Sequence, residues 1–280
     1  MTTAVPRHNL VRRYPLAAFF VIAYAFSWTI GGLLIAEHYG ALDVPRWLHY
    51  VSAFGPALAA LVVTGLSSGR AGLTELGWRV VRVGVGARWW LIGVGTPAAL
   101  ALAAIVVYAL TNRALPAPEL FGTVDYLGDI GVPAALALWI ATYGFGEEIG
   151  WRGFAFQRMG SDGWVRAALI IGLLWGLWHL PYFFYKENFI ALGMVGFVGY
   201  LVSISMGSIL LAWIYRGSGQ SILLVALWHG LFDFVSASSV ADGLGNALSS
   251  GVVIVWVILI VRGAAPRPEG QPSGYGTTGR

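Results

Sequence analysis

The chain has 280 residues, 58% hydrophobic and 11% charged, with a mean hydropathy of +0.72. Soluble domains carry roughly 25% charged residues, so too few polar side chains are present to clothe a water-exposed surface, and neither a disordered chain nor a nucleic-acid binder fits. No cysteine is present, which removes disulfides, thiolate metal sites and a cysteine nucleophile. What remains is an all-α, polytopic integral membrane protein, expected as one transmembrane helical domain over residues 1–263.

A hydrocarbon core about 30 Å thick needs about 20 apolar helical residues. Apolar stretches run from Leu16 to Ile35, Val51 to Leu66, Trp89 to Leu110, Val132 to Phe156, Val165 to Phe184, Phe189 to Tyr215, Ser221 to Val235 and Ala247 to Val261. About eight transmembrane helices are therefore predicted. The first follows Arg7, Arg12 and Arg13. Its apolar run of about 20 residues exceeds the 7–15 of a signal peptide, so it reads as an uncleaved span. Between the second and third, Ser67 to Arg88 interleaves basic and apolar residues; an amphipathic interfacial segment and a solvated loop both fit. No internal repeat is evident, which speaks against a two-fold repeat transporter. Residues 264–280 are rich in Gly, Pro and polar residues and read as a disordered cytoplasmic tail.

Charge placement supports the count. With the N-terminus inside and eight spans, the inner set holds Arg7, Arg12, Arg13, Arg70, Arg79, Arg82, Arg88, Arg152, Arg158, Arg166, Arg216, Arg262, Arg267 and Arg280, which is 14 of the 17 basic residues. Only Arg46, Arg113 and Lys186 fall outside, where Glu37, Asp43, Glu119, Asp125, Asp129, Glu187 and Asp242 collect. Cytoplasmic loops are the basic ones, so both termini are expected in the cytoplasm. This split also explains the net charge of +4 without a polyanionic partner. The partners expected are a lipid bilayer and a hydrophobic peptide or membrane-protein substrate. Tryptophans near span ends, such as Trp47, Trp78, Trp89, Trp90 and Trp164, suit the membrane interface and need no functional reading.

Ionisable groups inside the spans carry the most information, since each costs at least ~2.5–3.5 kcal/mol at a span centre. The fourth stretch holds Glu147, Glu148 and Arg152, the fifth holds His179, and the seventh holds His229 and Asp233. At 1.5 Å per residue, Glu147 lies roughly 13 Å from the inner end of its span, His179 roughly 20 Å and His229 roughly 12 Å. Antiparallel neighbours can thus bring them to one level, near the middle and nearer the cytoplasm. Glu148 and Arg152 are four apart and can meet on one helix face. Glu147 is rotated by about 100° from Glu148 and faces elsewhere. His229 and Asp233, also four apart, can address one target. Trp175 lies one turn before His179 and can wall the same pocket. Gly146, Gly150 and Gly153 allow close helix approach.

Several chemistries fit this set. Glu148 with Arg152 can be a purely structural pair, and a membrane histidine can be an interhelical hydrogen bonder. A glutamate and a histidine can jointly activate water, with Glu147 as general base beside His179. His229 and Asp233 can hold a carbonyl oxygen as its charge develops; Asp233 serves that role only when protonated, and otherwise orients His229. On this reading no cofactor is required. The same four groups, Glu147, His179, His229 and Asp233, can instead hold a divalent metal such as zinc, although no His-Glu-x-x-His motif is present.

At these residues the sequence resembles a known family. Glu147-Glu148-x-x-x-Arg152, the aromatic Trp175 with three residues between it and His179, and His229-x-x-x-Asp233 are similar to the motifs of the CPBP intramembrane proteases. That family includes type II CAAX prenyl endopeptidases (the Rce1 group) and bacterial Abi-type, bacteriocin-self-immunity proteins. The motifs span Glu147 to Asp233, within a protease-like core at about 130–240. The resemblance implies an eight-helix fold with a conical cavity open toward the cytosol. It implies Glu147 as base with His179, an oxyanion site at His229 and Asp233, and Glu148 and Arg152 in support. Trp175 stands where phenylalanine is common, and Asp233 where the prenyl proteases have asparagine. Family members are often named metalloproteases.

The reading that follows is a CPBP-type intramembrane endopeptidase of a prokaryotic plasma membrane, acting on hydrophobic peptides, prenylated or not, or on membrane-protein substrates. The rivals are a non-catalytic scaffold or bacteriocin-immunity protein and a proton-coupled transporter with Glu and His as relay groups.

Overall fold

The computed structural model describes residues 10–159 and 163–264; Arg7 and residues 265–280 of the expected tail lie outside the described residues. Eight apolar helical segments follow one another. They are α1, Pro15–His38; α2, Gly55–Val80, preceded by the short helix Leu48–Ser52; and α3, Thr96–Asn112, which continues from Ala87–Trp90 through a wide turn at Leu91–Gly95. The rest are α4, residues 132–156; α5, Trp164–Trp178, ending in the tight turn Leu180–Phe184; α6, Glu187–Gly217; α7, Ile222–Ser236; and α8, Leu244–Ala264. A proline stands in the first turn of α1, α2 and α4, where its missing N–H costs no hydrogen bond. Ser221 caps α7, its hydroxyl accepting from the Leu224 amide at 3.2 Å, which satisfies one of the free N–H groups of that helix end.

Among the described residues, six helices are long and apolar enough to cross a membrane: Pro15–His38, Leu48–Val80, Ala87–Asn112, Trp164–Phe184, Glu187–Gly217 and Leu244–Gly263. The other two expected spans, α4 and α7, are helical but differ. α7 has 15 residues, about 22 Å of rise. α4 contains two π-helical stretches, Ile140–Glu147 and Trp151–Phe156, a rare geometry that tends to mark functional sites. These two atypical segments carry five of the expected site residues.

The segment Ser67 to Arg88 is not a plain loop. α2 turns at Gly69, whose φ is 63°, a conformation that favours glycine. It then resumes as a helix to Val80, with Leu76 buried in the bundle and Trp78 exposed.

α1 packs on α2, α4 on α7, and α6 on both α5 and α8. The α4–α7 contact is backbone-close. A Cβ on Gly144 would sit 2.5 Å from the Ala226 carbonyl oxygen, and one on Gly230 would sit 2.6 Å from the Ile140 Cα.

The two ends of the bundle differ. At the basic end Ser221 donates to the Arg82 carbonyl at 2.7 Å and Arg12 to the Leu66 carbonyl at 3.1 Å. Trp151, Phe154, Ile214, Tyr215, Ile222 and Leu224 form a fully buried layer there. At the opposite end a small antiparallel hairpin of β1, Thr123–Val124, and β2, Gly128–Asp129, is pinned down. Tyr50 donates to the Asp125 carbonyl at 2.8 Å, and Lys186 pairs with the Asp125 carboxylate at 3.0 Å.

Candidate active site

Glu147 sits on α4 with no exposed surface. Its Oε2 accepts from the indole N–H of Trp175, on α5, and from that of Trp151 at 3.4 Å. Oε1 is equally buried and has no protein partner. An unpaired buried carboxylate oxygen is costly, so the site is built to present one oxygen of Glu147 rather than to satisfy both.

Glu148, next in the chain, faces a different set. Its Oε1 accepts from Arg152 Nη1 at 2.6 Å, and both side chains are buried. His229 on α7 brings Nδ1 to 2.9 Å from the same oxygen, although its N–H is not aligned on it as a hydrogen bond. The other ring nitrogen, Nε2, lies 3.2 Å from Asp233 Oδ2. His229 is thus held between two carboxylates, and it can donate to both only as the imidazolium. Arg152 also lies under the Trp175 ring, 4.7 Å from its centroid, which links this charged group to the wall beside Glu147 by a cation–π contact.

His179 ends α5. Its backbone N–H bonds the Gly176 carbonyl at 3.2 Å, which leaves the Trp175 carbonyl to the ring Nδ1 at 2.9 Å. A carbonyl only accepts, so Nδ1 carries the hydrogen and Nε2 keeps its lone pair.

Glu147, Trp175, His179, His229 and Asp233 all line one cavity of about 480 Å³. Glu148 and Arg152 stand behind it and do not line it. Glu147, His179, His229 and Asp233, expected to converge, thus line the same cavity.

Residues 129–235 match the family model for type II CAAX prenyl endopeptidase, Rce1-like. This segment is thus similar to an Rce1-like domain. Over 103 residues the chain is 30% identical to CAAX prenyl protease 2 of Methanococcus maripaludis, a match covering 35% of this chain and 37% of that relative. The chain thus spans little more than a third of the length of the curated relative it matches.

Every site residue from Glu147 to Asp233 falls inside the Rce1-like domain, but the cavity is completed from outside it. Asn246, Ser250 and Val253 of α8 line one side. His49 lines another, with Nδ1 at 2.7 Å from the Tyr185 hydroxyl and Nε2 at 2.7 Å from the Tyr143 hydroxyl. Sequence reasoning passed over His49, a lone histidine at the end of a span whose partners lie 94 and 136 residues away. The nearest signal was the tyrosine-rich run Tyr182-Phe-Phe-Tyr185.

A ligand set for a metal is a separate question. Among the described residues, no group of three or more His, Asp or Glu is placed to hold a metal ion. The reason is visible in the contacts above. His229 turns both nitrogens to carboxylates, His179 spends Nδ1 on a carbonyl, and one oxygen of Glu147 is taken by indoles. The zinc alternative and the metalloprotease description therefore find no support in the donor geometry of the Rce1-like domain.

The cavity has a definite place among the helices. Its lining residues come from His49, from Trp139 to Glu147, Trp175 to Phe189, Leu192 to Leu211, Trp228 to Ala237 and Asn246 to Val253. The lining runs from residues at the hairpin end, such as Lys186 and Asn188, down to Glu147 and Leu211 beyond the midpoints of α4 and α6. None comes from the loops around Arg70 to Arg88, Arg158 to Arg166 or Arg216 to Ser221.

Proposed function

We propose that this integral membrane protein is an intramembrane endopeptidase of the Rce1-like type, hydrolysing peptide bonds of apolar peptides or membrane-protein segments. The observation that carries the proposal is Glu147: a buried carboxylate held at one oxygen by two indoles, its other oxygen buried without a partner, on a residue that lines the same cavity as His179. A binding protein has no evident use for that arrangement, whereas a general base does. The name of the Methanococcus maripaludis relative supports the same class of reaction.

In the proposed mechanism Glu147 Oε1 takes a proton from water while His179 Nε2, fixed by its Nδ1–H bond, accepts a hydrogen bond from the same water. The water oxygen bonds to the scissile carbonyl carbon. The developing oxyanion is met by the Nε2–H of His229, which it shares with Asp233, while Glu148 balances the imidazolium beside Nδ1. The C–N bond then breaks, and Glu147 returns its proton to the leaving amine. Asp233 in this scheme orients His229, since an ionised carboxylate would repel the oxyanion. Glu148 and Arg152 hold His229 and Trp175 in place. No step requires a cofactor. The chain is proposed to lie in a prokaryotic plasma membrane with both termini cytoplasmic.

The test is incubation of the purified protein with a proteome-derived peptide library, wild type beside Glu147→Ala. Cleavage products that appear only with the wild type support hydrolysis. Identical product lists from the two proteins sink it and leave a scaffold or immunity role.

A further inference from the structure

The basic residues and the cavity lie at opposite ends of the bundle. Among the described residues, Arg12, Arg13, Arg70, Arg79, Arg82, Arg88, Arg158, Arg166, Arg216 and Arg262 belong to the end where Ser221 meets Arg82 and Arg12 meets Leu66. The cavity's lining reaches the other end, at Lys186, Asn188 and Ala237, of which Asn188 and Ala237 are exposed. That end holds only Arg46, Arg113 and Lys186, against seven carboxylates. Membrane proteins keep their arginine-rich loops in the cytoplasm. No residue of the basic loops lines the cavity, and Phe154, Ile214, Tyr215, Ile222 and Leu224 toward that end are buried, so a cytosolic opening and cytoplasmic basic loops do not go together for this chain.

We infer that the cavity of this chain opens on the extracytoplasmic face, so that its peptide substrate arrives from the outer leaflet or the space beyond it. The inference takes the hydrolysis of peptides from the proposed function and adds the side from which they come. The opening fixes the substrate class further. Its walls carry Phe189, Leu192, Tyr200 and Phe232, which suit an apolar segment, and a lipid-anchored tail in the cytoplasm would have no route to Glu147. Substrates are then exported peptides, or extracytoplasmic ends of membrane proteins, with an apolar stretch.

The chain has no cysteine, so single thiols report position without background. Asn188 and Ala237 line the mouth on two different elements and are exposed; Ser68 is exposed at the basic end. Each of Asn188→Cys, Ala237→Cys and Ser68→Cys is expressed in the full chain. Each is then treated with a membrane-impermeant maleimide in intact cells or spheroplasts, in inverted vesicles and in detergent. Asn188→Cys and Ala237→Cys are expected to label from outside, and Ser68→Cys only in inverted vesicles. Labelling of the mouth thiols from the cytoplasmic side, from both sides, or in detergent only overturns the inference. The readout does not depend on turnover, so it stands or falls apart from the proposed hydrolysis.

Discussion

The indole N–H of Trp175 is bonded to Oε2 of Glu147, across two helices and 28 residues of chain. It decides which oxygen of Glu147 remains free to act. Hydrogen bonds to charged groups contribute about 1.5–3 kcal/mol. Trp175→Phe keeps an aromatic face over Arg152 and removes the donor. We expect turnover to fall ~10–100-fold on that basis, with little change in melting temperature because Trp151 still holds the carboxylate. Peptide turnover and thermal melting in detergent measure both, and unchanged turnover would show that the bond is incidental.

The two adjacent glutamates separate cleanly. Glu147→Gln keeps shape and removes the proton acceptor, so turnover should vanish while the fold stays intact. Glu148→Gln instead leaves Arg152 and His229 without their buried carboxylate. Breaking a buried pair typically costs ~3–5 kcal/mol, so lower stability should accompany lower activity. If Glu148→Gln proves to be the stable but inactive protein and Glu147→Gln the unstable one, the roles are reversed.

His179 offers a finer test. Its Nδ1–H serves the Trp175 carbonyl and its Nε2 is the catalytic candidate. Asparagine reproduces a donor near Nδ1 and nothing at Nε2. His179→Asn should therefore fold like the wild type and lose most of its turnover. Retained turnover in this variant would remove His179 from the mechanism.

Much of the site was legible because its pairs are local. Glu148 with Arg152 and His229 with Asp233 are four residues apart, and helical spacing alone brings each pair together. The helical fold was legible from apolar runs of membrane length. What could not be read were contacts made by tertiary packing: Trp175 with Glu147, Glu148 with His229, and His49 with its two tyrosines. The π-helical stretches of α4 escaped because hydrophobic periodicity assumes 3.6 residues per turn. The helix beyond Gly69 was ambiguous because interleaved arginines suit a loop as well as an interfacial helix. The side on which the cavity opens required both the charge pattern and the lining residues, and the first alone says nothing about the second.

Helix proximity in the site can be tested away from the chemistry. Gly150 of α4 faces α2, where an added Cβ would lie 2.6 Å from the Pro56 carbonyl carbon. Backbone cannot yield as a side-chain tip can, and overpacking of this kind costs typically ~1–3 kcal/mol. Gly150→Ala should lower the melting temperature and, by shifting Glu147 and Glu148 together, lower turnover as well. Wild-type stability in this variant would mean that α2 and α4 have room to separate.

The cavity's placement away from the basic loops has a kinetic consequence. A cavity with one mouth makes entry and exit the same passage, so a cleaved fragment occupies the path that the next substrate must take. Product inhibition should then be competitive, and long fragments that remain embedded in the bilayer should leave more slowly than short ones that reach water.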